Sequence, residues 1–152
     1  MDTSAWLDID VSPDPPRLWA LVEALIAADR LFSLGRIVGE DGEVKSIADK
    51  VKPYRDRLTR CDRNDAAFLL EAGKVALAFP RMAKPRGRKT VADSFVVALA
   101  LLDGYTVVAS ESLKKRANGK IPGACRLLGV ACIPLAELVE RETKLMSALR
   151  SA

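Results

Sequence analysis

The side chains that could carry chemistry in this sequence are carboxylates, because the chain contains no histidine. That absence excludes serine–histidine–aspartate triads, cysteine–histidine dyads and histidine-ligated zinc or iron sites. Two acids stand out by position. Asp93 interrupts an otherwise apolar run, and Glu111 follows a short β-branched segment. An enzyme with this composition must use carboxylates, hydroxyls, lysines or a bound hard metal ion.

Each of these two acids has a functional and a structural interpretation. A carboxylate in the first turn of a helix is favoured by the helix dipole, so Asp93 is either a catalytic residue or a cap. Glu111 is either a ligand or a solvated loop residue. Ligands of open α/β sheets bind outside the carboxyl ends of the strands, where the sequence places Glu111.

Basic loops lie beside both acids, at residues 84–89 before Asp93 and at 114–120 after Glu111. Positive loops around an acidic pocket suit a polyanion whose backbone is held while one phosphodiester is attacked. Two solvated loops that keep the protein soluble are the alternative. The candidate contacts to backbone phosphates are Arg88, Lys114 and Lys115.

The elements that must position these residues alternate between helix and strand. Apolar spacing predicts helices over 17–31, 36–58, 64–78, 91–102, 121–128 and 135–149, and strands over 105–109 and 130–133. The helix over 91–102 is apolar on nearly every side and is therefore expected to be buried, whereas 36–58 is expected to be more exposed. This order is typical of a parallel sheet covered by helices.

Length and composition predict one soluble domain over residues 1–152. No apolar run approaches the ~20 residues of a membrane span, and the first residues lack the features of a signal peptide, so a cytoplasmic protein is expected. Three cysteines without a CxxC pair, Cys61, Cys125 and Cys132, predict reduced thiols.

Three segments in chain order form a pattern. They are MDTSAW at residues 1–6, ADSFVVALA with GYTVV over 92–108, and KIPGAC with LGVACI over 120–133. Together they resemble the PIN-domain-like nuclease superfamily, and the last segment is similar to its DUF4411 branch. The resemblance covers nearly the whole chain. It implies a three-layer α/β/α sandwich with a parallel sheet, at one end of which the acids meet.

The resemblance also implies roles for individual acids. Asp2 matches the first acid, Asp93 the third and Glu111 the acid after the fourth strand. The second acid is expected after Gly35, where Glu40 is the best match and Glu43 the alternative. Only Met1 precedes Asp2, whereas the family usually has several apolar residues there. Either the true start lies upstream, or the first strand is short and Asp2 is poorly anchored; Asp8 and Asp10 are the fallback acids.

Carboxylates in one pocket repel each other, and two at ~4 Å cost roughly 4 kcal/mol at an effective dielectric constant near 20. A divalent cation removes that repulsion, and oxygen ligands without histidine favour Mg²⁺ or Mn²⁺. Asp2, Asp93 and Glu111 are the expected ligands of an ion that activates water for attack on phosphorus. Glu40 is expected to bind the metal or orient water. Ser94 and Ser110 are either second-sphere residues or local caps.

The resulting hypothesis is a metal-dependent endoribonuclease, and the resemblance suggests the toxin of a toxin–antitoxin pair. The alternative is a non-catalytic PIN-like domain that binds RNA or a protein. A phosphotransfer enzyme is disfavoured because the sequence has no GxxxxGK[ST] loop. The expected partners are RNA and a cognate antitoxin protein, and the apolar faces of 17–31 and 135–149 suggest a homodimer.

Overall fold

The computed structural model describes residues 1–38, 47–80, 82, 92–110 and 121–151. In chain order its helices are α1 (Thr3–Asp10), α2 (Pro15–Ala27), α3 (Gly35–Val38), α4 (Ala48–Val51), a 3₁₀ turn (Lys52–Tyr54), α5 (Arg55–Leu58), α6 (Ala66–Ala78), α7 (Asp93–Asp103), α8 (Ile121–Leu128) and α9 (Leu135–Ser151). The strands are β1 (Val107–Val108) and β2 (Cys132–Ile133).

The two strands form a small parallel sheet in which Val107 pairs with Cys132 and Val108 with Ile133. Backbone hydrogen bonds extend this layer. The Asp2 nitrogen donates to the Val108 carbonyl oxygen at 2.9 Å, and the Met1 nitrogen donates to the Phe32 carbonyl oxygen. Residues 1–2 therefore lie between β1 and the segment at Phe32. The chain is a mixed α/β protein that is mostly helical, with a parallel sheet as expected.

Helix α7 forms the centre of the hydrophobic core. Its residues from Val96 to Ala100 are buried, as its almost uninterrupted apolar sequence predicts. It packs mainly against α6, where the Phe68 and Phe95 rings meet edge to face with centroids 5.5 Å apart. Because α7 also contacts β1 and α8, the position of its first residue, Asp93, is fixed by the core.

The expectation of one exposed helix over 36–58 is wrong for the residues that the structure describes. The segment contains the separate helices α3, α4 and α5, and Ile37, Val51 and Leu58 are fully buried. Pro53 lacks the amide hydrogen that a continuous helix needs, and the 3₁₀ turn forms around it. Charged residues between the apolar ones concealed how deeply this region is packed.

Other boundaries differ by smaller amounts. The segment from Thr3 to Asp10 is a helix that the apolar spacing did not predict, and α2 begins and ends earlier than 17–31. The helix predicted over 64–78 is confirmed as α6, but Leu70 and Leu77 on its predicted apolar face are 62% and 83% exposed. Its buried residues are Phe68, Ala72 and Val75. The prediction over 121–128 is confirmed by α8.

An ion pair fastens α9 to the segment that leads to the sheet. The Arg30 guanidinium donates to both oxygens of the Glu142 carboxylate at 2.7 Å. Glu142 is buried, with 7% of its surface exposed, whereas about half of the Arg30 side chain remains exposed to solvent. A bidentate contact of this kind fixes orientation as well as distance.

None of the helices in the described residues combines the length and apolar character that a membrane span requires. The three cysteines are free thiols, as their spacing predicts.

Two glycines give a matched test of this architecture. Gly104 ends α7 with φ +71°, and Gly73 lies inside α6; a Cβ atom added to either glycine would meet no other atom within 4 Å. We expect Gly104→Ala to lower the free energy of unfolding by about 1 kcal/mol, because an L side chain is strained at this φ. Gly73→Ala should raise it by about 0.8 kcal/mol through helix propensity. Urea unfolding measures both, and changes of the same sign would contradict the assigned helix end.

Candidate functional site

Asp2 is buried at the beginning of α1, where it is the N-cap residue. Its Oδ2 atom accepts hydrogen bonds from the Ser4 backbone nitrogen at 3.2 Å and from the Ser4 hydroxyl at 2.8 Å. Its backbone nitrogen is held by Val108 at the end of β1. The acid is therefore anchored firmly at the sheet, although only Met1 precedes it here.

The environment of the Asp2 carboxylate is unfavourable for its charge. Burial raises the pKa of Asp2, and hydrogen bonds from Ser4 and Thr3 offset only part of that effect. Its Oδ1 atom is buried and has no hydrogen-bond partner among the described residues. An unpaired buried polar atom costs about 1–3 kcal/mol, and more when it is charged. A cation ligated at Oδ1 would remove this cost, so the residue fits a metal ligand.

Ser110 joins Asp2 at the end of β1. Its backbone nitrogen donates to the Ser4 hydroxyl oxygen at 3.0 Å, across 106 residues of sequence. The Ser110 Oγ atom is also buried and lacks a hydrogen-bond partner among the described residues. Both residues that hydrogen-bond the Ser4 hydroxyl therefore also carry a buried oxygen without a partner in the described part of the chain. Glu111 is the next residue in the sequence.

Asp93 is the first residue of α7 and is half-buried, behind the buried Ala92. The helix has 11 residues and is therefore roughly 16 Å long. Gly104 then reverses the chain, and the return segment over 105–110 reaches up to about 20 Å. Helix α7 contacts β1, and these lengths allow Asp93 and Ser110 to lie toward the same edge of the fold.

The fallback acids have other environments. The Asp10 carboxylate accepts hydrogen bonds from Lys50 Nζ at 2.7 Å and from Trp19 Nε1 at 3.4 Å. The hydrogen bond with Lys50 lowers the pKa of Asp10. The two residues form a structural ion pair. The Asp8 side chain is exposed and lines a groove of about 990 Å³ between α2 and α9. Asp2 is therefore the better candidate in this part of the chain.

Most of the remaining predicted site lies outside the described residues. This holds for Glu40, its alternative Glu43, Glu111, and the phosphate contacts Arg88, Lys114 and Lys115. Within the described ranges, acidic and thiol side chains do not come together in a group of three that could hold a metal. The structure therefore describes Asp2 and Asp93, but the other predicted metal ligands lie outside the described residues.

Sequence reasoning missed Ser4 and a pair of thiols near Asp2. Ser4 had a detectable signal, since a residue two positions after an aspartate N-cap is placed to hydrogen-bond it. Cys125 is buried in α8 and contacts Cys132 at the start of β2. The hydrogen bond with Cys132, burial and the charge of Asp2 all raise the pKa of Cys125.

The comparisons with known proteins identify a family. The family model for DUF4411, a domain of unknown function, matches residues 7–145, and the chain belongs to this family. The matched range includes Asp93 and Glu111 and begins after Asp2. Searches of curated proteins and of solved structures yielded no match.

Replacement of Asp2 by Asn should stabilise the protein without added metal. Asn caps a helix as well as Asp does, and it carries no charge to bury. Because the folded-state pKa of Asp2 is raised above the unfolded value near 4, its ionisation removes stability as the pH rises through that window. The difference in melting temperature between Asp2→Asn and wild type should therefore be larger at about pH 8 than at about pH 4.

Thermal unfolding followed by circular dichroism at both pH values measures this difference. Asp10→Asn is the matched control and should show the opposite sign at neutral pH, because it breaks the ion pair with Lys50. A melting temperature of Asp2→Asn below that of wild type at both pH values would contradict the description of the Asp2 environment.

Proposed function

We propose that this protein is a Mg²⁺- or Mn²⁺-dependent endoribonuclease of the PIN type, with its acids at the carboxyl edge of a parallel sheet in an α/β/α frame. The observation that carries the proposal is the Asp2 carboxylate, buried beside the end of β1 with Oδ1 lacking a partner among the described residues. The helix cap uses Oδ2 only, so the unpaired Oδ1 atom makes Asp2 a candidate for function.

The chemistry of the donors supports a hard divalent cation. Asp2 and Asp93 offer carboxylate oxygens from the beginnings of α1 and α7. We propose that both meet Glu111, which follows Ser110 in the sequence, at one edge of the sheet. We assign Asp2, Asp93 and Glu111 to the metal and Glu40 to the metal or to the orientation of water. When bound, the ion supplies Lewis-acid activation of water and charge stabilisation at the phosphate.

The chain's own residues then have distinct tasks. The Asp2 backbone is fixed by Val108, so its carboxylate keeps a constant position relative to the sheet. Asp93 is presented from the rigid core helix α7. Arg88, Lys114 and Lys115 are proposed to hold backbone phosphates of the RNA on either side of the acids. Such contacts position a polymer without reading its sequence.

The biological setting rests on the resemblance to PIN proteins. We propose a cytoplasmic toxin whose activity is controlled by an antitoxin protein. The faces of α2 and α9 that were predicted to support dimerisation line a mostly apolar groove, one end of which is formed by Ser110. The alternative function is a non-catalytic domain that binds RNA or protein. An RNA cleavage assay distinguishes the two functions.

The decisive experiment is cleavage of single-stranded RNA with Mg²⁺ or Mn²⁺ by the purified protein. We expect cleavage by wild type and a loss of at least about 100-fold in kcat/KM for Asp2→Asn, Asp93→Asn and Glu111→Gln, because each removes a negative ligand from the ion. The control is Asp10→Asn, an equivalent change in a carboxylate that is paired with Lys50. It should retain the wild-type rate, and EDTA should abolish cleavage.

Two results would reject the proposal. Equal cleavage by wild type and Asp93→Asn would indicate a contaminating nuclease. RNA binding without cleavage under all metal conditions, unchanged by the three substitutions, would establish the non-catalytic alternative.

The phosphate contacts can be tested through the salt dependence of RNA binding. Each lost contact to a single strand should reduce the slope of log K against log salt concentration by about 0.7. The double variant Lys114→Ala, Lys115→Ala should therefore reduce it by about 1.4. Lys144→Ala is the control, because Lys144 pairs with Glu140 on α9. Fluorescence anisotropy with a labelled RNA measures the slopes. A slope for the double variant equal to that of wild type would show that neither lysine contacts the RNA backbone.

A further inference from the structure

We infer that Ser4 is a positioning residue of this site. Its hydroxyl hydrogen-bonds to the Asp2 carboxylate and to the backbone of Ser110, directly before Glu111 in the sequence, and so fixes their relative positions. The inference deepens the proposed function and rests on it for its catalytic meaning. The Ser4 side chain links Asp2 by hydrogen bonds to Ser110, two residues beyond the end of β1.

The direction of these hydrogen bonds follows from the groups involved. The Ser110 backbone nitrogen is only a donor, so the Ser4 oxygen must accept from it at 3.0 Å. The single hydrogen of the Ser4 hydroxyl is then available for the Asp2 carboxylate, whose Oδ2 lies 2.8 Å away. Both capacities of the hydroxyl are used, and its orientation is fixed.

This arrangement determines which oxygen of Asp2 is left for a ligand. Oδ2 accepts both the backbone nitrogen and the hydroxyl of Ser4, so rotation of the carboxyl group is restrained. Oδ1 remains buried without a partner among the described residues. The Ser110 Oγ atom is likewise buried without a partner among the described residues.

Ordinary helix capping does not explain the hydroxyl. The cap requires a hydrogen bond from a backbone nitrogen of the first turn to Asp2, and the Ser4 nitrogen at 3.2 Å supplies it. The hydroxyl adds a second bond to the same oxygen and a contact to a residue 106 positions away. That long-range contact ties the beginning of α1 to the residue that directly precedes Glu111.

The test compares Ser4→Ala, Ser4→Thr and the control Ser147→Ala with wild type. Ser147 is exposed on α9, and its hydroxyl donates to the Thr143 carbonyl within its own helix. Two quantities are measured without RNA: the Kd for Mn²⁺ by electron paramagnetic resonance, and the midpoint of the Asp2 carboxyl titration by ¹³C NMR. Melting temperatures show that each variant is folded.

We expect Ser4→Ala to raise the Kd for Mn²⁺ by about 10–100-fold, the range found when a residue that orients a metal ligand is removed. The Asp2 midpoint should rise as well, because a hydrogen bond to the ionised form is lost. Ser4→Thr, which keeps the hydroxyl, should restore both values, and Ser147→Ala should change neither.

The outcomes separate this inference from the proposed function. Wild-type values of the Kd and of the Asp2 midpoint in Ser4→Ala would overturn the role of Ser4 and leave the metal site standing. Equal effects of Ser4→Thr and Ser4→Ala would also overturn it, because the hydroxyl would not be the operative group. A shifted Asp2 midpoint with no Mn²⁺ binding by wild type would support the positioning by Ser4 and reject the metal-dependent function.

Discussion

The burial of one carboxylate is the constraint on which the rest of this structure depends. Asp2 lies between the sheet and α1; donors of Ser4 and Thr3 stabilise its charge, while its Oδ1 atom has no hydrogen-bond partner among the described residues. Leaving a charged oxygen unpaired in a protein interior is expensive, and a fold retains such an atom when a ligand or a reaction uses it. The surrounding elements can be understood as supports for that atom.

Those supports are of two kinds. Helix α7 and its contacts with α6 make a dry, closely packed centre that presents Asp93 from its first turn. The sheet fixes the other side, because the end of β1 at Val108 accepts a hydrogen bond from the Asp2 backbone nitrogen. Ser4 adds a second link, since it bonds to Asp2 and to the backbone of Ser110, two residues beyond β1. DUF4411 is a family of unknown function, so membership in it assigns no activity to the chain.

Sequence patterns predicted those parts of the fold that are encoded locally. The apolar run before Gly104 predicted the buried helix, and α8 was predicted with its observed ends. Prediction failed where packing overrides local pattern, as in the segment around Pro53, where charged residues accompany fully buried ones. It also missed α1, because its eight residues give too few turns for periodicity to be decisive.

The sequence by itself limited the chemistry that is available, because the absence of histidine leaves carboxylates as the principal reactive groups, and its resemblance to PIN domains pointed to Asp2 and Asp93. Only the tertiary structure decided that Asp2 is buried with one oxygen lacking a partner among the described residues, and that Ser4 bridges it to Ser110. The physical reason is distance along the chain. A hydrogen bond between residues 106 positions apart leaves no periodic signal in either segment, and it forms only when the core has brought both ends together.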